Sequence, residues 1–196
     1  MKGKPGGSIQ GTWPSLKLKR GVRYSSTLER DCLFVLEYEP TVVRYQEQPF
    51  EICGSYEGRE HRYTPDYAVW TTQEACLIEC KPTAQRTAAH TQQQIALGSV
   101  WAAAQGWRFE VVTDTELRAG ARLANLKLLW RYSRLVVTVE QWQELVGVLR
   151  PAEGIILEQL APQPEQFPVV LALLFQHHLA TDLAQPLQRS SWVWRV

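Results

Sequence analysis

Apolar residues at helical spacing predict a first helix that begins near residue 27. Ser26 is a residue type that caps helix N-termini, and Glu29 follows it at the spacing of a capping box. The apolar face of this helix consists of Leu28, Cys32, Leu33, Val35 and Leu36. We expect the helix to end before Pro40, because proline disfavours helical conformation in the residue that precedes it.

The pattern of apolar and polar positions then changes to that of strands. Candidate strands cover residues 42–46, 49–53, 62–70, 75–81 and 107–112. Residues 71–74 connect the third and fourth strands into a hairpin, and an alanine- and glutamine-rich helix over 84–105 precedes the fifth. The order of helix, strands, helix and strand predicts an α/β domain whose mixed sheet is flanked by helices.

Beyond residue 115 the apolar spacing becomes mainly helical. Helices are predicted over 116–132, 138–148, 152–161 and 167–179, and a short strand is predicted over 191–196. Thr138 and Gln141 form a second capping-box pair. A set of helices followed by a strand is typical of a small, mainly helical, winged-helix-like domain, which we place at 115–196.

Charge is distributed unevenly although the net charge is only +1. Residues 1–24 contain six Lys and Arg residues and no acid, whereas 25–112 contain 12 acids and seven Lys and Arg residues. We therefore divide the chain into a basic arm (1–24), an acidic α/β domain (25–114) and the helical domain. Basic arms bind DNA phosphates, although a solvated tail, mobile over 1–11, fits the same composition. The candidate DNA-binding residues are Lys17, Lys19, Arg20 and Arg23.

The four cysteines do not form a CxxC pair, and their loose spacing to His61 and His90 argues against a zinc site. No apolar signal region precedes the first helix, and no apolar run is long enough to span a bilayer. We therefore expect a protein of the bacterial cytosol with free thiols and no membrane partner.

Two carboxylates and a lysine are the strongest candidates for chemistry. Alternation along the strand at 75–81 places Glu79 and Lys81 on one face and Cys80 on the other, and predicts that the charged pair projects from the strand. The hairpin brings Asp66 of the neighbouring strand close to Glu79. A purely structural interpretation is also available for these residues. In it, Glu79 and Lys81 form only an ion pair, and Asp66, which follows a proline, is a turn residue.

Carboxylates that converge on one point repel each other unless a cation lies between them. Oxygen ligands favour Mg²⁺, for which Mn²⁺ substitutes, and the backbone carbonyl of Cys80 is a further candidate ligand. Such a metal polarises a phosphate and lowers the pKa of bound water, while Lys81 stabilises the growing negative charge. The pattern indicates metal-dependent hydrolysis of a phosphodiester.

Pro65-Asp66 followed by Glu79-Cys80-Lys81 resembles the PD-(D/E)XK motif of restriction-endonuclease-like nucleases. Tyr24 to Asp31, Val43 to Pro49 and Tyr63 to Tyr67 extend the resemblance to the TnsA-type endonucleases of heteromeric transposases. The stretches 125–129 and 182–187 resemble the C-terminal half of that family.

This resemblance implies an enzyme that cuts the 5′-strand ends of a transposon. It implies that a DDE transposase cuts the other strands and that an AAA+ ATPase regulator couples the two enzymes to target DNA. By the same resemblance Glu29, Asp66 and Glu79 are the catalytic acids and metal ligands, and Lys81 is the catalytic lysine.

The sequence is also compatible with two other functions. A stand-alone nuclease of the same fold, of the junction-resolvase or repair type, has the same motif, and a non-catalytic DNA-binding subunit needs only the basic arm and the helical domain. If Glu29 has no catalytic role, it is a capping residue of the first helix. Six further residues allow either a functional or a purely structural interpretation: Gln92, Gln93, Gln94, His90, Trp192 and Trp194.

Overall fold

A computed structural model of the protein describes residues 9–149 and 153–196. The chain divides into two units between Leu117 and Arg118, close to the predicted division after residue 114. Most of the segment predicted to be mobile and the start of the helix predicted over 152–161 lie outside the described residues.

Unit 1 contains eight strands and three α-helices among its described residues. Its strands are β1 (Gly11–Ser15), β2 (Arg20–Tyr24), β3 (Val42–Glu47), β4 (Ile52–Tyr56), β5 (Arg59–Tyr63), β6 (Tyr67–Thr71), β7 (Ala75–Cys80) and β8 (Arg108–Val112). Its helices are α1 (Thr27–Tyr38), α2 (Ala89–Ala104) and α3 (Asp114–Leu117), and Thr83–Gln85 form a 3-10 turn.

The central sheet of unit 1 has the strand order β3-β6-β7-β8. The pairs β3/β6 and β6/β7 are antiparallel and β7/β8 is parallel, so the predicted mixed sheet is confirmed. Ala68 and Leu77 of the sheet pack with Leu97 and Ala102 of α2, while α1 contacts β3 and β7. Burial of these apolar side chains is the main favourable contribution to folding of the unit.

The strand predicted over 62–70 is wrong, because two strands occupy this segment. β5 pairs only with β4 in a separate two-stranded sheet, whereas β6 belongs to the central sheet. Thr64, Pro65 and Asp66 lie between them. Pro65 has no N–H to donate to a strand ladder, and the Asp66 side chain turns to bond the backbone of β7.

The helix predicted over 84–105 begins later than expected, at Ala89. The backbone N–H and the hydroxyl of Thr83 both donate to Asp114 Oδ1, at 2.7 and 2.8 Å. These bonds hold residues 83–85 in a 3-10 turn outside the helix.

Residues 11–24, which the charge pattern assigns to a basic arm, form a β-hairpin of β1 and β2. The cross-strand neighbours Trp13 and Val22 are both buried, at 5% and 0% exposure. Only this one inward-facing pair marks the hairpin in the sequence, which is too short a signal to separate strands from a basic tail.

Unit 2 contains α4 (Arg122–Trp130), α5 (Val139–Val146), β9 (Ile155–Ile156), α6 (Leu157–Leu160), α7 (Gln166–Phe175), β10 (Leu179–Thr181) and β11 (Trp192–Arg195). Its three strands pair antiparallel in the order β10-β11-β9. The core is built on α7, where every residue from Val169 to Leu174 is buried. The capping box of Thr138 and Gln141 is confirmed. A winged-helix-like domain is compatible with this order and stays a prediction.

Asn125 connects the two stretches of unit 2 that resemble the C-terminal half of the nuclease family. Its amide nitrogen donates to the carbonyls of Leu183 and Gln185 at 2.9 and 2.7 Å, and its oxygen accepts from Leu187 N–H at 3.0 Å. Asn125 is 4% exposed, so these bonds satisfy a buried amide. Within the described ranges, no helix of either unit is long and apolar enough to cross a bilayer.

Candidate active site

The turn before β6 places Asp66 against the end of β7. Asp66 Oδ2 accepts a hydrogen bond of 2.7 Å from the backbone N–H of Cys80, which lies between Glu79 and Lys81 in the sequence. The pairing of Tyr67 with Ile78 brings the two strand ends side by side. The predicted proximity of Asp66 to this end of β7 is confirmed.

Glu79 is the most deeply buried acid of the site, with 1% of its side chain exposed. Its Oε1 lies 2.7 Å from Nζ of Lys81, and its Oε2 accepts a hydrogen bond from the hydroxyl of Tyr63. The expectation that the charged pair projects from the strand is wrong for Glu79, because residues on both faces of β7 are buried. Lys81 is 21% exposed.

Sequence reasoning missed Tyr63 as part of the site. Tyr63 is the last residue of β5 and is 3% exposed. Its position beside Thr64-Pro65-Asp66 was visible, but its partner depends on how the separate β4/β5 sheet packs. The bond to Glu79 satisfies a buried carboxylate that would otherwise carry a large desolvation penalty.

Glu29 lies in the first turn of α1, where Ser26 caps the helix by accepting from Glu29 N–H at 3.1 Å. The predicted capping box is only half formed, because the Glu29 carboxylate turns to Ser25. It accepts from Ser25 N–H at 2.8 Å and from the Ser25 hydroxyl at 3.0 Å. Tyr67, next to Asp66, donates to the Glu29 carbonyl at 3.3 Å.

An open cleft of about 460 Å³ lies in front of these acids. Glu29 and Asp66 both line it, so the structure brings two of the three predicted acids to one cavity. The β1/β2 hairpin supplies another part of the lining. The hairpin residues that line the cleft include Gly11, Thr12, Arg23 and Tyr24.

Negative charge accumulates around Asp66. Burial raises the pKa of its carboxyl group, the neighbouring Glu79 raises it further, and Glu29 adds to the effect. The Cys80 N–H and Lys81 lower it, and the resulting pKa is about 8. A carboxyl group with so high a pKa lies in a site that favours an additional positive charge.

Lys81 remains an ammonium ion across the neutral range. Burial lowers its pKa, but Glu79 and Asp66 outweigh this effect, so the pKa is raised above its usual value. A lysine in this state stabilises negative charge and donates hydrogen bonds, and it is a poor general base.

The thiol of Cys80 is disfavoured as a metal ligand. A hydrogen bond with Cys32 and burial together raise the pKa of Cys80 well above its usual value, and a thiol must be deprotonated to bind a metal. Among the residues that the structure describes, no three His, Cys, Asp or Glu side chains form a ready cluster for a metal ion.

The four predicted DNA-binding residues have different environments. The Lys17 ammonium bonds the carbonyls of Glu39 and Val42, the latter at 2.8 Å. Arg20 forms two bonds of 2.7 Å with the carboxylate of Glu47. Lys19 is exposed in the hairpin turn, and Arg23 is exposed and lines the cleft.

The histidine and the glutamines of α2 that the sequence singled out do not line this cleft. Gln92 donates to the carbonyl of Arg86 at 2.7 Å, and His90 is exposed in the first turn of α2. Trp192 and Trp194 belong to unit 2 and are 58% and 40% exposed.

A mixed sheet flanked by helices, with an acid before one strand and a Glu-X-Lys at the end of the next, defines a restriction-endonuclease-like fold. The comparisons refine this class. Residues 39–114 match the family model described as TnsA-like endonuclease N terminal. This part of the chain is therefore similar to the N-terminal domain of TnsA-like endonucleases. The match includes Asp66, Glu79 and Lys81 and begins after Glu29. A comparison with curated proteins found no match.

Proposed function

We propose that the protein is a metal-dependent DNA endonuclease that hydrolyses the 5′-strand ends of a transposon. The observation that supports this most strongly is the position of Asp66, whose carboxylate is bonded to the β7 backbone between Glu79 and Lys81. That arrangement lies inside the segment that matches the TnsA-like endonuclease model.

The residues of the site fit a divalent cation. Glu29, Asp66 and Glu79 are three carboxylates against the one ammonium of Lys81, and burial together with their mutual repulsion raises the pKa of Asp66. Asp66 and Glu79, with the Cys80 carbonyl, would hold the ion, and Glu29 would contribute from α1. Mg²⁺, or Mn²⁺ in its place, supplies Lewis acidity toward the phosphate and toward water.

The protein's own groups have separate roles in this proposal. Lys81, which stays protonated, neutralises the charge that grows on the phosphoryl oxygens. Tyr63 orients Glu79 by holding Oε2, which leaves Oε1 directed toward Lys81. The cleft in front of Asp66 receives the phosphodiester.

The family match favours a transposase subunit over a stand-alone nuclease. We propose that the DNA substrate is the transposon end, that a DDE transposase cuts the opposite strands and that an AAA+ ATPase regulates the assembly. These partners follow from the family and are part of the proposal.

The test is strand-specific cleavage of an end-labelled duplex carrying the transposon end, with the DDE transposase present or omitted. We expect the wild-type protein to nick the 5′ strand only with the transposase, and Asp66→Ala to lose at least about 10³-fold of this activity, because a metal ligand is removed. Glu60→Gln changes an exposed acid of β5 and is the matched control, which should cleave like the wild type.

Three results would contradict parts of this proposal. Full cleavage by Asp66→Ala would exclude the assigned site. Cleavage without the transposase would favour a stand-alone nuclease. DNA binding by the wild type with no cleavage in Mg²⁺ or Mn²⁺ would favour a non-catalytic subunit.

A further inference from the structure

The cleft in front of Asp66 presents an electrostatic difficulty for a DNA substrate. Each phosphate carries a negative charge, and the cleft is lined by Glu29, Glu47 and Asp66. Glu47 is neutralised by its two bonds to Arg20, but Glu29 and Asp66 form no salt bridge in the described part of the chain, and the nearby Lys81 is bonded to Glu79. A metal ion at Asp66 would offset part of this repulsion, and a second positive group in the cleft lining would offset more of it.

Arg23 is the basic residue that lines this cleft. Its backbone N–H bonds Glu47 Oε1 at 3.3 Å, whereas its guanidinium has no hydrogen bond or ion pair within residues 9–149 and 153–196. Two other cations of the hairpin are already bonded within the protein, because Lys17 bonds backbone carbonyls and Arg20 bonds Glu47. Arg23 therefore keeps its full set of donors for a ligand.

The hairpin that carries Arg23 is fixed to the rest of unit 1. The buried carboxylate of Glu37 in α1 accepts bonds from the Ser15 hydroxyl and from the N–H groups of Leu16 and Lys17, the latter two at 3.1 and 3.3 Å. Arg20 ties β2 to β3 through Glu47. A side chain mounted on such an anchored element loses less entropy on binding than one on a mobile arm.

The cleft end of the hairpin is closely packed. Gly11 pairs with Tyr24, and a Cβ atom at Gly11 would lie 2.3 Å from the Tyr24 hydroxyl oxygen. The absence of a side chain at Gly11 therefore lets the Tyr24 ring lie against the neighbouring strand. This packing holds the backbone next to Arg23 in place.

We propose that Arg23 binds a backbone phosphate of the DNA strand that is cut, next to the bond held at Asp66 and Glu79. The inference rests on the proposed nuclease function and adds a substrate contact to it. The planar guanidinium bonds two phosphate oxygens at once, which fixes the strand in the cleft and offsets the acids that line it. Arg23 thereby acts as a specific contact, in contrast to a general basic arm.

Lys19 provides a matched control on the same hairpin. It is exposed at the turn, and the five residues of β2 separate it from the far side of Tyr24 by roughly 16–17 Å at about 3.3 Å per residue. Removing either side chain deletes one positive charge. A general electrostatic role predicts equal effects of the two changes, and a phosphate contact predicts a large effect of Arg23 alone.

The experiment uses the full chain with its partner transposase and duplexes in which single phosphates are replaced by neutral methylphosphonates. It measures single-turnover cleavage in Mg²⁺ and DNA affinity in Ca²⁺. We expect Arg23→Ala to lower the cleavage rate and affinity by about 10- to 100-fold and Lys19→Ala by less than about threefold. Arg23→Lys should recover only part of the loss. Neutralising the contacted phosphate should abolish the difference between wild type and Arg23→Ala.

Failure of this inference can be distinguished from failure of the proposed nuclease function. Equal effects of Arg23→Ala and Lys19→Ala, or an Arg23→Ala defect that persists with every methylphosphonate, would overturn this inference while leaving cleavage intact. A wild type that never cleaves, yet binds with an affinity that depends on Arg23 and one phosphate, would contradict the proposed nuclease function and support the contact.

Discussion

At the scale of single residues, the proposed metal site depends on carboxylates that stay close together at a cost in stability. Asp66 illustrates the cost, because burial and the neighbouring Glu79 raise its pKa to about 8. Its pKa in the unfolded chain is about 4. An acid whose pKa is higher in the folded state destabilises the fold as pH rises through this interval, and the effect is complete above the folded pKa.

We therefore predict that Asp66→Asn stabilises the metal-free protein. Asparagine is neutral and its oxygen still accepts from Cys80 N–H. The gain should be absent near pH 4 and grow up to pH 8, by at most about 1.4 kcal/mol per pH unit. Urea unfolding in EDTA at pH 4, 6 and 8 measures it. A gain that does not depend on pH would contradict the charge repulsion assigned to Asp66.

At the scale of secondary-structure elements, the β1/β2 hairpin depends on Glu37. This buried acid of α1 accepts bonds from Ser15, Leu16, Lys17 and Tyr45. Burial and the bond with Glu37 raise the pKa of Tyr45, so the tyrosine remains a donor. Four donors on one carboxylate attach the hairpin and β3 to the same helix.

Replacing Glu37 by Gln should loosen the hairpin specifically. The amide presents donors where the carboxylate accepted, so at least one buried donor loses its partner at a cost of about 1–3 kcal/mol. Hydrogen exchange should accelerate most in residues 11–24, whereas Glu57→Gln, an exposed acid in the β4/β5 turn, should leave exchange there unchanged. Uniform acceleration over the chain with no excess in the hairpin would contradict the anchoring role.

At the scale of the whole molecule, much of unit 1 was predictable from local pattern. Alternation along 75–81 identified Glu79 and Lys81, and turn residues identified the hairpin that brings Asp66 beside them. Two features that sequence reasoning did not reach, the bonding partner of Tyr63 and the position of Arg23 in the cleft, depend on tertiary contacts. Tyr63 reaches Glu79 only because β5 leaves the central sheet, and Arg23 lines the cleft only because the hairpin is held by Glu37.

The central claim is that Asp66 and Glu79 form a divalent-metal site, and calorimetric titration of the full chain with Mn²⁺ tests it most directly. We expect the wild type and Glu60→Gln to bind Mn²⁺ alike. At pH 7 binding should release close to one proton from Asp66, because a ligand must be deprotonated. Asp66→Ala should bind at least about tenfold more weakly and without that proton release. Equal Mn²⁺ binding and equal proton release by wild type and Asp66→Ala would contradict the account.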